Sequence, residues 1–150
     1  MRHAHPHPFN GEDPTIYKII NNVSRNDTEE NQYINHIYLT SAKDIEHGQF
    51  DGINNPQPVD VRGLIDHRYN HTDNLYGCLK ISLEIEDALR NNKSPIVFCD
   101  AGLERSPLAI AVWFSWTHDV SLDFAYKHVK SAQPAIHRRD EWVQRKGNRI

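Results

Sequence analysis

One stretch constrains the fold more than any other. Between Arg105 and His118 the chain is apolar nearly all round, with LAIAVWFSW at its heart. A helix without a polar face must be covered on several sides, so this segment is predicted to be the central helix of the core. Pro107 suits its first helical position, where a missing N–H costs nothing. Just upstream, Lys93-Ser94-Pro95 turns the chain into the short apolar run Ile96-Val97-Phe98, which reads as a buried strand.

The remaining elements arrange themselves around that pair. Leu75, Cys78, Ile81 or Ser82, Ile85 and Leu89 recur at three- and four-residue steps, one buried stripe on a helix over 74–91 capped by Thr72 or Asp73. Ser121 caps a helix over Leu122–Ser131 that Pro134 closes, and His137–Lys146 reads as a basic terminal helix anchored by Trp142 and Val143. Strand candidates are Thr15–Val23, Ile34–Thr40 and the run from Val59 and Val61 to Leu64-Ile65, which Gly63 weakens. Ser41 can cap a helical turn over AKDIEHG, Phe50–Pro58 is turn material, and His67–Asp73 reads as an exposed loop. Strand, helix, buried strand and further helices describe an α/β fold around a small, partly parallel central sheet flanked by helices.

Length and composition narrow the class. A chain of 150 residues makes one domain, expected over 15–150, after a flexible His/Pro arm at 1–14. A net charge of −3 gives no general electrostatic reason to bind nucleic acid or anionic lipid. The N-terminus lacks the pattern of a signal peptide, and the longest apolar stretch is about half of what a bilayer demands. The expectation is a cytoplasmic, monomeric protein without a membrane partner, in a reducing setting where the two cysteines stay free.

The chemistry concentrates in PIVFCDAGLERSPL, residues 95–108. A buried strand delivers the thiol of Cys99 into a short loop, Gly102 lets that loop turn, and a helix starts at Arg105. A strand–loop–helix unit of this length can curl its amides of Asp100, Ala101, Gly102, Leu103 and Glu104 around one centre, with the positive end of the helix adding to the same potential. Such a nest lowers a thiol pKa from about 8.5 toward neutrality and makes Cys99 a nucleophile. The Arg105 guanidinium is a fork that matches two phosphate oxygens, and the Ser106 hydroxyl can donate to the departing sulfur. No metal or cofactor is required, because the loop supplies the compensating charge. The competing reading is a buried structural cysteine beside a surface arginine.

Phe98–Pro107 resembles the signature loop of cysteine-dependent phosphatases of the dual-specificity type, a histidine-cysteine pair, five residues, arginine, then serine or threonine. HIYLTSAKDI at 36–45, the 74–91 helix and SLDFAYKHVKSAQP at 121–134 resemble that family's neighbouring elements. The resemblance implies a compact phosphotyrosine-phosphatase-like fold and a phosphoprotein or phosphopeptide substrate hydrolysed through a cysteinyl-phosphate. It also implies an aspartic acid, some thirty residues upstream on a mobile loop, that protonates the leaving group. Asp66, 33 residues before Cys99, fits that position, and Asp73 is the reserve.

This chain departs from the pattern in four ways. Phe98 replaces the loop-ordering histidine. Asp100 and Glu104 bring negative charge into a phosphate loop, the loop has no lysine to favour inositol lipids, and Ser41–Asp66 is too short for the usual pair of central strands. Three alternatives stand beside the phosphatase. A rhodanese-like sulfurtransferase or rhodanese-scaffold phosphatase is favoured by VDVR at 59–62, and a phosphate-binding module of low activity is favoured by Phe98. An RNA 5′-phosphatase is a third, since Arg138, Arg139, Arg145, Lys146 and Arg149 make the C-terminus basic. His3, His5 and His7 read as part of the arm, Cys78 as structural, Trp113, Phe114 and Trp116 as core, and Arg68, Tyr69, His67 and His71 as a border of the substrate cleft.

Overall fold

The computed structural model describes residues 16–23, 35–48 and 50–144. Four strands form a mixed sheet in the order β1-β2-β4-β3. The strands are β1 (Tyr17–Val23), β2 (Asn35–Ser41), β3 (Pro56–Asp60) and β4 (Ser94–Cys99). β1 runs antiparallel to β2, whereas β2 and β3 flank β4 in parallel. All six residues of β4 are buried, as expected of a parallel strand covered on both faces.

Helices α2 (His71–Arg90), α3 (Arg105–His118) and α4 (Leu122–Ala132) pack on one another and on one face of the sheet, with α3 between the other two. Ser106 through Ser115 are buried, which accounts for a helix with no polar side. The other face carries a smaller core of Ile16, Tyr38, Ile53 and Ile96, covered by α1 (Ala42–His47) and Phe50. Ser41 caps α1 by accepting from the Asp44 amide, and Ser121 caps α4 by accepting from Phe124. No helix among the described residues is long and apolar enough to cross a membrane.

Several sequence expectations need correction. Pro56 and Pro58 lie in β3 rather than in a turn; β3 is an edge strand, and an edge tolerates residues that cannot donate to a ladder on both sides. α2 starts at His71, and its cap is Asn70, whose side chain accepts from the Asp73 amide at 2.7 Å, so neither Thr72 nor Asp73 caps it. α3 starts at Arg105, which makes Pro107 its third residue, still within the first turn where an N–H has no intrahelical partner. His137–Lys146 forms no helix over its described part, only a 3-10 turn at Asp140–Trp142, although Val143 is buried as anticipated. Trp116 is 39% exposed and leaves the core that Trp113 and Phe114 occupy. The arm at 1–14 and the basic residues from Arg145 onward lie outside the described residues.

Two contacts fix the loop that follows β3. Gly77, in the second turn of α2, lies under the Leu64 carbonyl, whose oxygen would stand 1.9 Å from a Cβ at that position. Asn74, fully buried one turn earlier, accepts from the Asp66 amide at 2.9 Å and donates to the carbonyls of Asp66 and Trp142. Residues 64–66 are thereby seated on the helix through their backbone.

Candidate active site

Cys99 ends β4, in register with Ser41 of β2, and the chain then enters the 100–104 loop. Main-chain contacts pin that loop on two sides. The Ala42 amide donates to the Asp100 carbonyl at 3.2 Å, and the His137 amide donates to the Leu103 carbonyl at 2.8 Å. Gly102, at φ +74°, lies against Thr40, whose carbonyl oxygen would be 2.7 Å from a Cβ there. Glycine is thus required for both conformation and space. α3 begins immediately after, and the Ser106 Oγ lies 3.2 Å from the Cys99 Sγ. The thiol is 2% exposed and packs with the main core, so its polar contact within the protein is this hydroxyl.

Beside the loop opens a hollow of about 590 Å³ lined by Asp66, His67, Arg68, Asp100, Glu104, Arg105, Arg139, Glu141 and Trp142. Its walls alternate in charge, and its guanidinium groups are matched by carboxylates. Arg105 Nη2 donates to Asp100 Oδ2 at 2.6 Å. Arg139 donates through Nε and Nη2 to Glu104 Oε2. Arg68 donates through Nε and Nη2 to the two oxygens of Asp66 at 3.0 and 3.2 Å. Arg62, which is not part of the lining, has its guanidinium forked onto Asp60 and 3.5 Å from Asp100. Arg105 first, and Arg62 second, hold the Asp100 carboxyl below the usual carboxylate range.

Of the predicted loop residues, Asp100, Glu104 and Arg105 reach the hollow. Gly102 is buried against β2, Ala101 is exposed, and Leu103 serves through its carbonyl. Asp66 shares the hollow with Arg105, and its side chain is 16% exposed. Arg68, through its side chain and its amide, keeps the Asp66 carboxyl well below its ordinary value. Asp73 is exposed in the first turn of α2 and does not line the hollow. His67 and Arg68 line the hollow. Tyr69 instead donates to the Gly63 carbonyl and His71 to the Glu141 carbonyl. Phe98, in place of histidine, is buried with the Arg62 guanidinium 5.2 Å above its ring. Burial pushes the Cys78 thiol up to about 12, which suits a structural role.

Sequence reasoning missed Asn74 and Gly77, and it read Arg62 only within VDVR and Arg139 only as part of a basic C-terminus. Only Gly77 carried a signal, a glycine inside a strongly periodic helix where close backbone approach is the usual reason.

No family model and no curated protein matches the sequence. Solved structures do match, and they are phosphatase-like. A leucine rich repeat and phosphatase domain containing protein from Entamoeba histolytica superposes with a TM-score of 0.65 at 10% identity, over 87% of this chain and 85% of that one. A single-residue variant of human DUSP28 gives 0.61 at 16% identity over 86% and 89%, and human DUSP28 itself gives 0.54 at 20% over 71% and 82%. Identities this low speak to architecture. The chain has the compact α/β fold of these phosphatases, a small mixed sheet flanked by helices, with Cys99 buried at the end of its central strand and Arg105 opening the helix that follows.

Proposed function

We propose that the protein is a metal-independent phosphomonoester hydrolase that acts on phosphotyrosine, with phosphoserine or phosphothreonine as further substrates, through a cysteinyl-phosphate. The observation that carries this reading is the Cys99–Ser106 contact at the head of α3, with the next-door Arg105 in the hollow that also holds Asp66. In the first step the Cys99 sulfur forms a bond to phosphorus as the ester P–O bond breaks, and the leaving oxygen takes a proton from the Asp66 carboxyl. In the second step water attacks phosphorus, the Asp66 carboxylate takes the water proton, and the S–P electron pair returns to sulfur. The Ser106 hydroxyl donates to that sulfur as inorganic phosphate leaves, and Arg105 holds two equatorial oxygens throughout.

Two features temper the chemistry. Arg105 must exchange Asp100 for the phosphate, and Arg68 keeps Asp66 ionised, the form needed to accept a proton rather than to give one. A slow enzyme with an acidic optimum is the consequence. The hollow argues against an RNA 5′ end, because four carboxylates face it and Arg138 and Arg139 are both paired with acids. Hydrolysis of an aryl phosphate in EDTA by the protein and by Cys99→Ser tests the reading. Activity only with the thiol is expected, and equal turnover by the two proteins would remove the nucleophile.

A further inference from the structure

Asp100 already holds the guanidinium that the proposed hydrolase needs for its phosphate. Its Oδ2 lies 2.6 Å from Arg105 Nη2, so an ester that takes the guanidinium must displace a carboxylate of the loop itself. The displaced group is 67% exposed at the wall of the hollow, with Glu104 and Glu141 beside it. Arg68 and Arg139, the other cations of the wall, are already matched by Asp66 and Glu104. An ester whose phosphate is its sole charge trades one ion pair for another and leaves Asp100 facing a dianion with only Arg62, 3.5 Å away and itself forked onto Asp60, to offset it. One that carries a cation next to the phosphate fills both places, phosphate on Arg105 and cation on Asp100, whereas an acidic neighbour adds repulsion.

Granted the hydrolase proposed above, we infer that Asp100 determines specificity, selecting phosphopeptides with lysine or arginine adjacent to the phosphorylated residue. A polyanionic RNA end is rejected by the same carboxylates.

The test uses two phosphotyrosine peptides that differ only in having lysine or glutamate on both sides of the phosphorylated residue. Binding is read on the Cys99→Ser protein and turnover on the protein with its thiol. The lysine peptide should bind about tenfold more tightly than the glutamate peptide, a swing between two exposed attractions and two repulsions. Asp100→Asn, which keeps the main-chain anchor to Ala42, should shrink that ratio to about twofold. Added NaCl should shrink it in the protein with Asp100 intact, a measurement that needs no folded variant. A ratio that Asp100→Asn leaves unchanged, a preference for glutamate, or tighter binding of a 5′-phosphorylated oligoribonucleotide would overturn the inference. Preference for lysine in binding, lost with Asp100→Asn but with no turnover of any ester, would uphold the role of Asp100 and remove the hydrolase. Turnover of both peptides at equal efficiency would do the opposite.

Discussion

The loop of Cys99 and the loop of Asp66 meet at one hollow but are held in different ways. The 100–104 loop is fastened by its own main chain to the first residue of α1 and to the segment after α4, and its special residue, Gly102, lies inside it. The 64–66 segment is fastened by residues of another element, Asn74 and Gly77 of α2. Each loop also brings a charged side chain that is already paired with a near neighbour, Arg105 with Asp100 and Asp66 with Arg68. The consequences differ. In the proposed mechanism the substrate phosphate takes the Arg105 guanidinium over from Asp100. Arg68 holds the Asp66 carboxyl well below its ordinary value, which in the proposed mechanism suits the second step and handicaps the first. The family resemblance implies a mobile loop that carries the acid, whereas the backbone of the Asp66 segment is tied to a helix.

The comparison can be broken at the helix. Gly77→Ala forces a Cβ against the Leu64 carbonyl and should cost about 3 kcal/mol in a denaturant titration, with the 64–66 segment displaced. An unchanged midpoint would mean that α2 does not seat this loop. Asp66→Ala should lower turnover about 100-fold with poor leaving groups and far less with good ones, and should flatten the basic limb of the pH profile. If Asp73→Ala does this and Asp66→Ala does not, the acid has been assigned to the wrong carboxylate.

A smaller effect tests the handicap itself. Arg68→Ala leaves the Arg68 amide on Asp66 but removes the guanidinium, so the carboxyl should rise toward its ordinary value near 4. The basic limb should then move to higher pH, and turnover of poor leaving groups near neutrality should increase, by less than about tenfold. Asp73→Asn, in an exposed first turn, should stay within about twofold of the parent. Stability should follow the same electrostatics. Asp60, Asp66, Asp100 and Asp123 all titrate below the usual range beside arginines, so their contribution is present above about pH 4 and is lost as pH falls through their folded values.

The same contrast explains what was legible in the sequence. β4 and α3 declare themselves by apolarity, and the thiol, glycine, arginine and serine sit within eight consecutive residues, so local spacing carries the site. What could not be read depends on residues remote in sequence. Two prolines in β3 read as a turn until its edge position is known. Asn74 is an ordinary helix residue until the Asp66 backbone lands on it. The segment from His137 to Val143 forgoes a helix because its groups serve elsewhere, the His137 amide on Leu103 and Arg139 on Glu104. Asp100 was visible as a charge in the loop, but which way it turns is a matter of geometry.

The most direct measurement is to mix the protein with an aryl phosphate, quench in acid within one turnover, and locate any added phosphoryl group by peptide mass spectrometry. A phosphoryl group on the peptide containing Cys99, absent from Cys99→Ser, is the predicted result. Steady hydrolysis with the group on another residue, or with Cys99→Ser as active as its parent, would contradict it.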